Sequence, residues 1–254
     1  MVFRDSDGEF TTAVVYDVFW RPESARPAVD LLASLTRPDA RLLDVGAGTG
    51  RFAIPLARMG HSVHCVEPSA GMRTALVAKA SHDAQLRELI TVDPRDASSF
   101  NADGEFDLAW CLEVLGYFRT DKELLGVFRN VRGHLSARGV FLFDGAGADE
   151  AVPDQADFEL ASEKQLGDDT FRMWTRTVRP DQAHCELNIR YERLSRSGAV
   201  LAQHEVQYWL RTRSRKHLEE LLGEAGLRVR EAFGDVDRRP FAEGARGLLL
   251  IGHA

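Results

Sequence analysis

A chain of 254 residues, 44% of them hydrophobic, has enough apolar side chains for one large α/β domain or a domain with a sizeable insertion. Its net charge of -7 argues against nucleic acid as a partner, and no apolar run approaches the ~20 residues of a membrane helix. The cysteines Cys65, Cys111 and Cys185 are odd in number and form no CxxC pair. They read as reduced buried thiols, and residues 1–17 lack the basic-then-apolar pattern of a secretory signal, so a cytoplasmic location is expected.

Residues 10–20 are apolar and aromatic and run into Arg21-Pro22, which predicts a short helix or lid rather than core. Ser24 can cap a helix to Leu35 with Val29, Leu32 and Leu35 on one face. Strands and helices then alternate. The strands are expected at 42–45, 62–66, 88–92, 106–111 and 140–143, and the helices at 51–59 (slightly kinked at Pro55), 69–80 and 120–135. This alternation predicts a parallel sheet covered by helices on both faces. Residues 145–168 read as acidic and turn-like. Three period-two runs follow at about 170–179, 184–193 and 199–211, and predict a half-buried antiparallel meander. A helix over 214–225 and strands at 227–233 and 247–252 close the chain.

The segment between the first strand and the next helix carries Gly46, Gly48 and Gly50. Glycines there let the backbone turn sharply and approach a ligand, and the helix start offers unpaired amides. The dinucleotide pattern G-x-G-x-x-G fails, because its third glycine position is Arg51. Asp44, two residues before Gly46, would repel a pyrophosphate and suits a ligand carrying an ammonium and a sulfonium. Glu67, at the tip of the second strand, is placed to accept from both hydroxyls of a ribose. Asp96, after the third strand, is placed to accept from an adenine amine, with Asp93 and Asp103 as nearby alternatives.

These segments resemble the motifs of the class I S-adenosylmethionine-dependent methyltransferases. Leu42-Leu43-Asp44-Val45-Gly46-Ala47-Gly48-Thr49-Gly50 is similar to that family's first motif, and Glu67-Pro68-Ser69-Ala70-Gly71-Met72 to its ribose-binding segment. Arg95-Asp96-Ala97 resembles the adenine-contacting segment, with Arg95 a departure from the usual glycine. Phe106 to Cys111 resembles the fourth-strand motif. The resemblance covers about residues 40–144 and returns in the last two strands. It implies a Rossmann-like α/β fold of seven strands with the last reversed, and S-adenosylmethionine as cofactor. It further implies that Asp44 sits near the methionine ammonium and that Gly46, Ala47 and Gly48 line the methionine portion. Glu67 and Pro68 would lie at the ribose, Met72 on the adenine, Asp96 and Ala97 at its amine, and the Cys111 carbonyl near the ammonium.

The layout also resembles small-molecule N-methyltransferases of amino-sugar and antibiotic biosynthesis, including lincosamide-type enzymes, which carry a short N-terminal aromatic segment and an antiparallel insertion at this point. The expected division is a lid at 1–36, a cofactor domain at 37–144 and 213–254, and an insertion at 145–212 that forms an acceptor-side wall or an oligomer contact. Tyr16, Tyr117 and Phe118 are the candidates for aligning the acceptor, and His204 is the alternative general base. No His, Asp or Glu grouping has metal-ligand spacing, so no metal is expected. The leading function is methyl transfer to a nitrogen of a small molecule. O-methylation of a hydroxylated small molecule and a non-catalytic S-adenosylmethionine-binding module are the competing readings.

Overall fold

The computed structural model describes residues 6–20, 22–146, 154–181, 183–241 and 247–253. Its larger sheet is built from β1 (Arg41–Val45), β2 (Ser62–Val66), β3 (Ile90–Asp93), β4 (Phe106–Cys111), β5 (Leu135–Ala146), β10 (Leu227–Phe233) and β11 (Gly247–His253). The strand order is β10-β11-β5-β4-β1-β2-β3. β1 to β5 pair in parallel, whereas β11 runs antiparallel to both β5 and β10, so it is the reversed strand. The alternation of β1, β4 and β5 sends side chains to two cores. Leu42, Leu108, Trp110 and Leu142 pack on one face. Leu43, Ala109, Cys111, Phe141 and Phe143 pack on the other, against α6 (Asp121–His134) and α7 (Arg215–Glu224). Thr120 closes a full capping box with Glu123 at the start of α6.

Several local expectations shift. The helix after the glycine loop, α3 (Ala53–Arg58), begins two residues late, which places Pro55 in its first turn, where a proline costs no intrahelical hydrogen bond. α2 (Pro22–Ser34) starts at Pro22, so Ser24 lies inside the helix rather than capping it. After α4 (Ala70–Ser81), an additional short helix, α5 (Ala84–Leu89), is capped by the Asp83 carboxylate. It consumes the start of the expected third strand.

The meander is a separate sheet of four strands, not three: β6 (Glu159–Leu166), β7 (Asp169–Val178), β8 (His184–Leu194) and β9 (Val200–Arg211), in that order. β6 escaped the sequence reading because it is an edge strand exposed along nearly its whole length, and so carries no apolar alternation. The inner face of this sheet, with Met173, Ile189 and Tyr191, packs on α1 (Ser6–Phe19) through Phe19. Two observations join the sheets. α1 leans on both α4 and β9. Beyond the end of β9, buried Arg213 donates from Nε to Asp121 at 2.9 Å and from Nη2 to the Phe118 carbonyl at 2.8 Å. Among the described residues, no helix is long and apolar enough to cross a membrane.

Candidate functional site

The in-register pairs Val45 with Val66 and Val66 with Asp93 bring the ends of β1, β2 and β3 to one edge of the sheet. The strand order reverses at β1 and β4, so the loops there diverge and leave a crevice. A cavity of about 560 Å³ fills it, roofed by α1 and the inner face of the second sheet.

The glycine loop forms its floor. Gly46 and Gly48 have φ of 83° and 55°, in the left-handed region. The Val66 carbonyl accepts from the Gly46 and Ala47 amides at 2.8 and 3.1 Å, which holds the loop against β2. A Cβ on Gly46 would lie 2.6 Å from Val114, whereas one on Gly48 would meet nothing within 4 Å. Gly48 therefore leaves open space beside the backbone, while Gly46 and Gly50 are required by packing; a Cβ on Gly50 would collide with Leu76.

Glu67 is buried at the wall. Its two oxygens accept from the Gly48 and Ser69 amides, each at 2.8 Å, so the carboxylate has a fixed position. Asp44 lies beneath the loop, 1% exposed, and its Oδ2 has no hydrogen-bond partner among the described residues. Burial, reinforced by the Glu67 charge, pushes its carboxyl well above the usual range. Of the three acids considered after β3, only Asp96 lines the cavity. Asp93 is instead gripped by Arg95, with Nε at 2.9 and 3.0 Å and Nη2 at 2.6 Å. Those hydrogen bonds outweigh partial burial and hold the Asp93 carboxyl down at about 2. Arg95, the departure from the motif, thus braces the loop that presents Asp96.

The roof is aromatic and uncharged. Thr12 and Tyr16 on α1, and Trp20 just past its end, follow one another a helical turn apart and face the cavity, and the Tyr16 and Trp20 rings stack at 4.9 Å. From the second sheet come Leu187, Ile189, Tyr191 and Tyr208. Tyr117 meets Tyr208 edge to face at 5.3 Å. All four tyrosines of the chain line this one space. Burial raises each phenol, Tyr16 and Tyr208 to about 12 and Tyr117 and Tyr191 further, so all four stay protonated at neutral pH. Between floor and roof, Arg51 Nη1 donates to both oxygens of Glu113, at 3.0 and 2.9 Å.

The expected site residues Tyr16, Tyr117, Phe118, Gly46, Ala47, Gly48, Glu67, Pro68, Met72, Asp96 and Ala97 all line the cavity. Asp44, Gly50 and Cys111 lie behind its wall, Cys111 fully buried just before the lining residue Leu112. His204 shares a face of β9 with Tyr208, but it is absent from the lining. Its Nε2 lies 2.9 Å from the Thr12 hydroxyl, docking β9 on α1. Sequence reasoning did not single out Tyr191, Tyr208 or the Arg51–Glu113 pair. The alternation of β8 and β9 placed both tyrosines on inner faces, but nothing local joined Arg51 to a residue 62 positions away. No group of three or more potential metal ligands occurs among the described residues.

This sheet order with one reversed strand, carrying a glycine loop and an acidic ring along one edge, defines the class I methyltransferase fold. The chain belongs to the methyltransferase-domain family, whose model matches residues 19–232. Its fold is similar over nearly its whole length to that of CcbJ, a methyltransferase from Streptomyces caelestis, with 22% identity, 98% and 99% of the two chains covered and a TM-score of 0.79. It is also similar to CalS10 from Micromonospora echinaspora, an amino pentose methyltransferase solved with S-adenosylmethionine bound (19% identity, 94% and 97% covered, TM-score 0.74). A third similar fold is that of the sugar N-methyltransferase KedS8 from a Streptoalloteichus species (24% identity, 100% and 96% covered, TM-score 0.73).

Proposed function

We propose that this chain transfers a methyl group from S-adenosylmethionine to a nitrogen of a small molecule such as an amino sugar. The observation that carries the reading is the contrast between the two sides of one cavity: a glycine-and-carboxylate floor, and a roof of neutral tyrosines. The floor fits the cofactor. Gly48 leaves room against the backbone, Glu67 holds a fixed buried carboxylate for a ribose diol, Asp96 lies further along the wall, and Asp44 supplies a buried acid whose Oδ2 has no hydrogen-bond partner among the described residues. When bound, the cofactor supplies an activated methyl on a positively charged sulfur.

The protein's part is then alignment and exclusion of water. Tyr16, Tyr117 and Phe118 orient the acceptor. The three rings favour developing positive charge, and the protonated hydroxyls of Tyr16 and Tyr117 donate to polar groups of the substrate. A neutral amine attacks with its own lone pair, whereas a hydroxyl needs a base. His204, the candidate base, does not itself line the cavity, and its Nε2 is held behind the roof by the hydroxyl of the lining residue Thr12, which favours nitrogen over oxygen. Residues 37–144 and 213–254 hold the cofactor in this reading, and 1–36 with 145–212 form the acceptor side. CalS10 is by its name an amino pentose methyltransferase and KedS8 a sugar N-methyltransferase, which supports the substrate class.

The test is transfer of labelled methyl from S-adenosylmethionine to matched panels of amino sugars and their hydroxyl counterparts. Label on nitrogen is expected. Transfer confined to the hydroxyl panel would replace this reading with O-methylation, and tight cofactor binding without transfer to either panel would favour a binding module.

A further inference from the structure

We propose that Glu113 is an internal stand-in for the cofactor's carboxylate. Glu113 is paired with Arg51, and the methionyl carboxylate of a bound cofactor would take Arg51 from it. The inference rests on reading the cavity as an S-adenosylmethionine site. That ligand brings one carboxylate, and Arg51 is the one lysine or arginine among the described lining residues.

The ion pair is built to open. Both of its contacts use a single guanidinium nitrogen, Nη1, while Nε is buried with no hydrogen-bond partner. A guanidinium satisfies a carboxylate best through two nitrogens at once, so the Glu113 contact leaves part of that capacity unused. The partners also differ in exposure: the Arg51 side chain is 11% exposed and that of Glu113 49%. Glu113 can return to water at little desolvation cost, whereas a bared Arg51 would remain sequestered and demand another anion. Glu113 is held at φ 61°, a left-handed conformation uncommon for a residue with a side chain, and its amide donates to Asp144 Oδ2 at 2.9 Å. The backbone is thus pinned at a strained position that aims the carboxylate at Arg51. The Tyr16 hydroxyl is hydrogen-bonded to Arg51 and lies within the field of Glu113, so it belongs to the same cluster.

Calorimetry on the full chain tests this with two ligands. S-adenosylhomocysteine carries the carboxylate. 5′-Methylthioadenosine has the same nucleoside and a thioether but no amino acid. Arg51→Gln is expected to weaken S-adenosylhomocysteine about ten- to hundredfold. Glu113→Gln, which removes the competitor, is expected to tighten it about two- to fivefold. Methylthioadenosine should bind both variants as it binds the wild type. Unchanged S-adenosylhomocysteine affinity in Arg51→Gln, or weakened affinity in Glu113→Gln, overturns the proposal. If Arg51→Gln loses methylthioadenosine as well, its pocket has collapsed and the sign of the Glu113→Gln effect decides. Wild-type protein that binds neither ligand overturns the cofactor reading itself, a result distinct from a failure of the Arg51 exchange.

Discussion

Glu67 shares its carboxylate between the protein and the ligand expected beside it. Each oxygen accepts one backbone N–H, from Gly48 or Ser69, and the group is buried. Glu67→Ala should weaken S-adenosylhomocysteine binding by about 1–3 kcal/mol, through loss of hydroxyl partners and of loop order. Calorimetry on a folded variant measures this, and unchanged affinity would mean that the ribose is held elsewhere. The tyrosines make a prediction about stability. Their phenols are raised in the fold, to about 12 for Tyr16 and Tyr208. Between the ordinary phenol value of 10.0 and these values the unfolded chain gives up protons that the folded chain keeps. Stability from these groups is therefore complete below pH 10 and falls as pH rises toward 12. Chemical denaturation in steps from pH 8 upward should show this decline. A flat profile across that window would place the hydroxyls in contact with water.

At the scale of elements, the glycine loop separates packing from ligand binding. Gly46→Ala would meet a positive φ and a Val114 methyl at 2.6 Å, so lost stability and lost ligand binding are expected together. Gly48→Ala faces open space, so the fold should lose only about 1 kcal/mol of backbone strain, while the added methyl fills the ligand's side of the loop. Thermal melts and calorimetry on the two variants should show this split, and equal affinity losses at equal stability would refute it. The Arg213 contacts predict behaviour at the join between the sheets. Arg213 is buried and bonds both Asp121 and the Phe118 carbonyl, while Arg211 also reaches Asp121 at 2.9 Å. Arg213→Met should cost about 2–4 kcal/mol in denaturant unfolding, because Arg211 retains part of the charge balance. Its acceptor KM should rise as the Phe118 segment loosens. Unchanged KM in a destabilised variant would restrict the residue to stability.

For the whole molecule, the cavity exists only where α1, the glycine edge and the second sheet meet, so catalysis should depend on the groups that bridge them. Tyr16→Ala and Tyr117→Ala should lower kcat, by up to about a hundredfold, through misalignment. His204→Ala should leave kcat largely intact and act on stability through the lost Thr12 contact. Kinetics at saturating acceptor distinguish these outcomes, and a collapse confined to His204→Ala would restore the hydroxyl reading.

Much of this was legible in the residues alone, because the cofactor edge is assembled from short local segments. A strand end, a glycine turn and an acid two residues earlier are neighbours in sequence and remain neighbours in space, which is why Asp44, Gly46 and Gly48 could be placed from spacing, and Glu67 from its position at the end of the next strand. The clean alternation of β8 likewise revealed a half-buried strand. Tertiary structure decided the rest. β6 is an edge strand whose side chains meet mostly solvent, so no burial pattern was written into it. Among the acids after β3, only the grip of Arg95 on Asp93 separated a brace from a lining residue. A period of two says that Tyr191 and Tyr208 share the inner surface with their neighbours, but not that this surface would close over the glycine loop opposite Tyr16 and Tyr117. The pairing of Arg51 with Glu113 belongs to the same class, since contacts across 62 residues depend on strand order and leave no periodic trace in the chain.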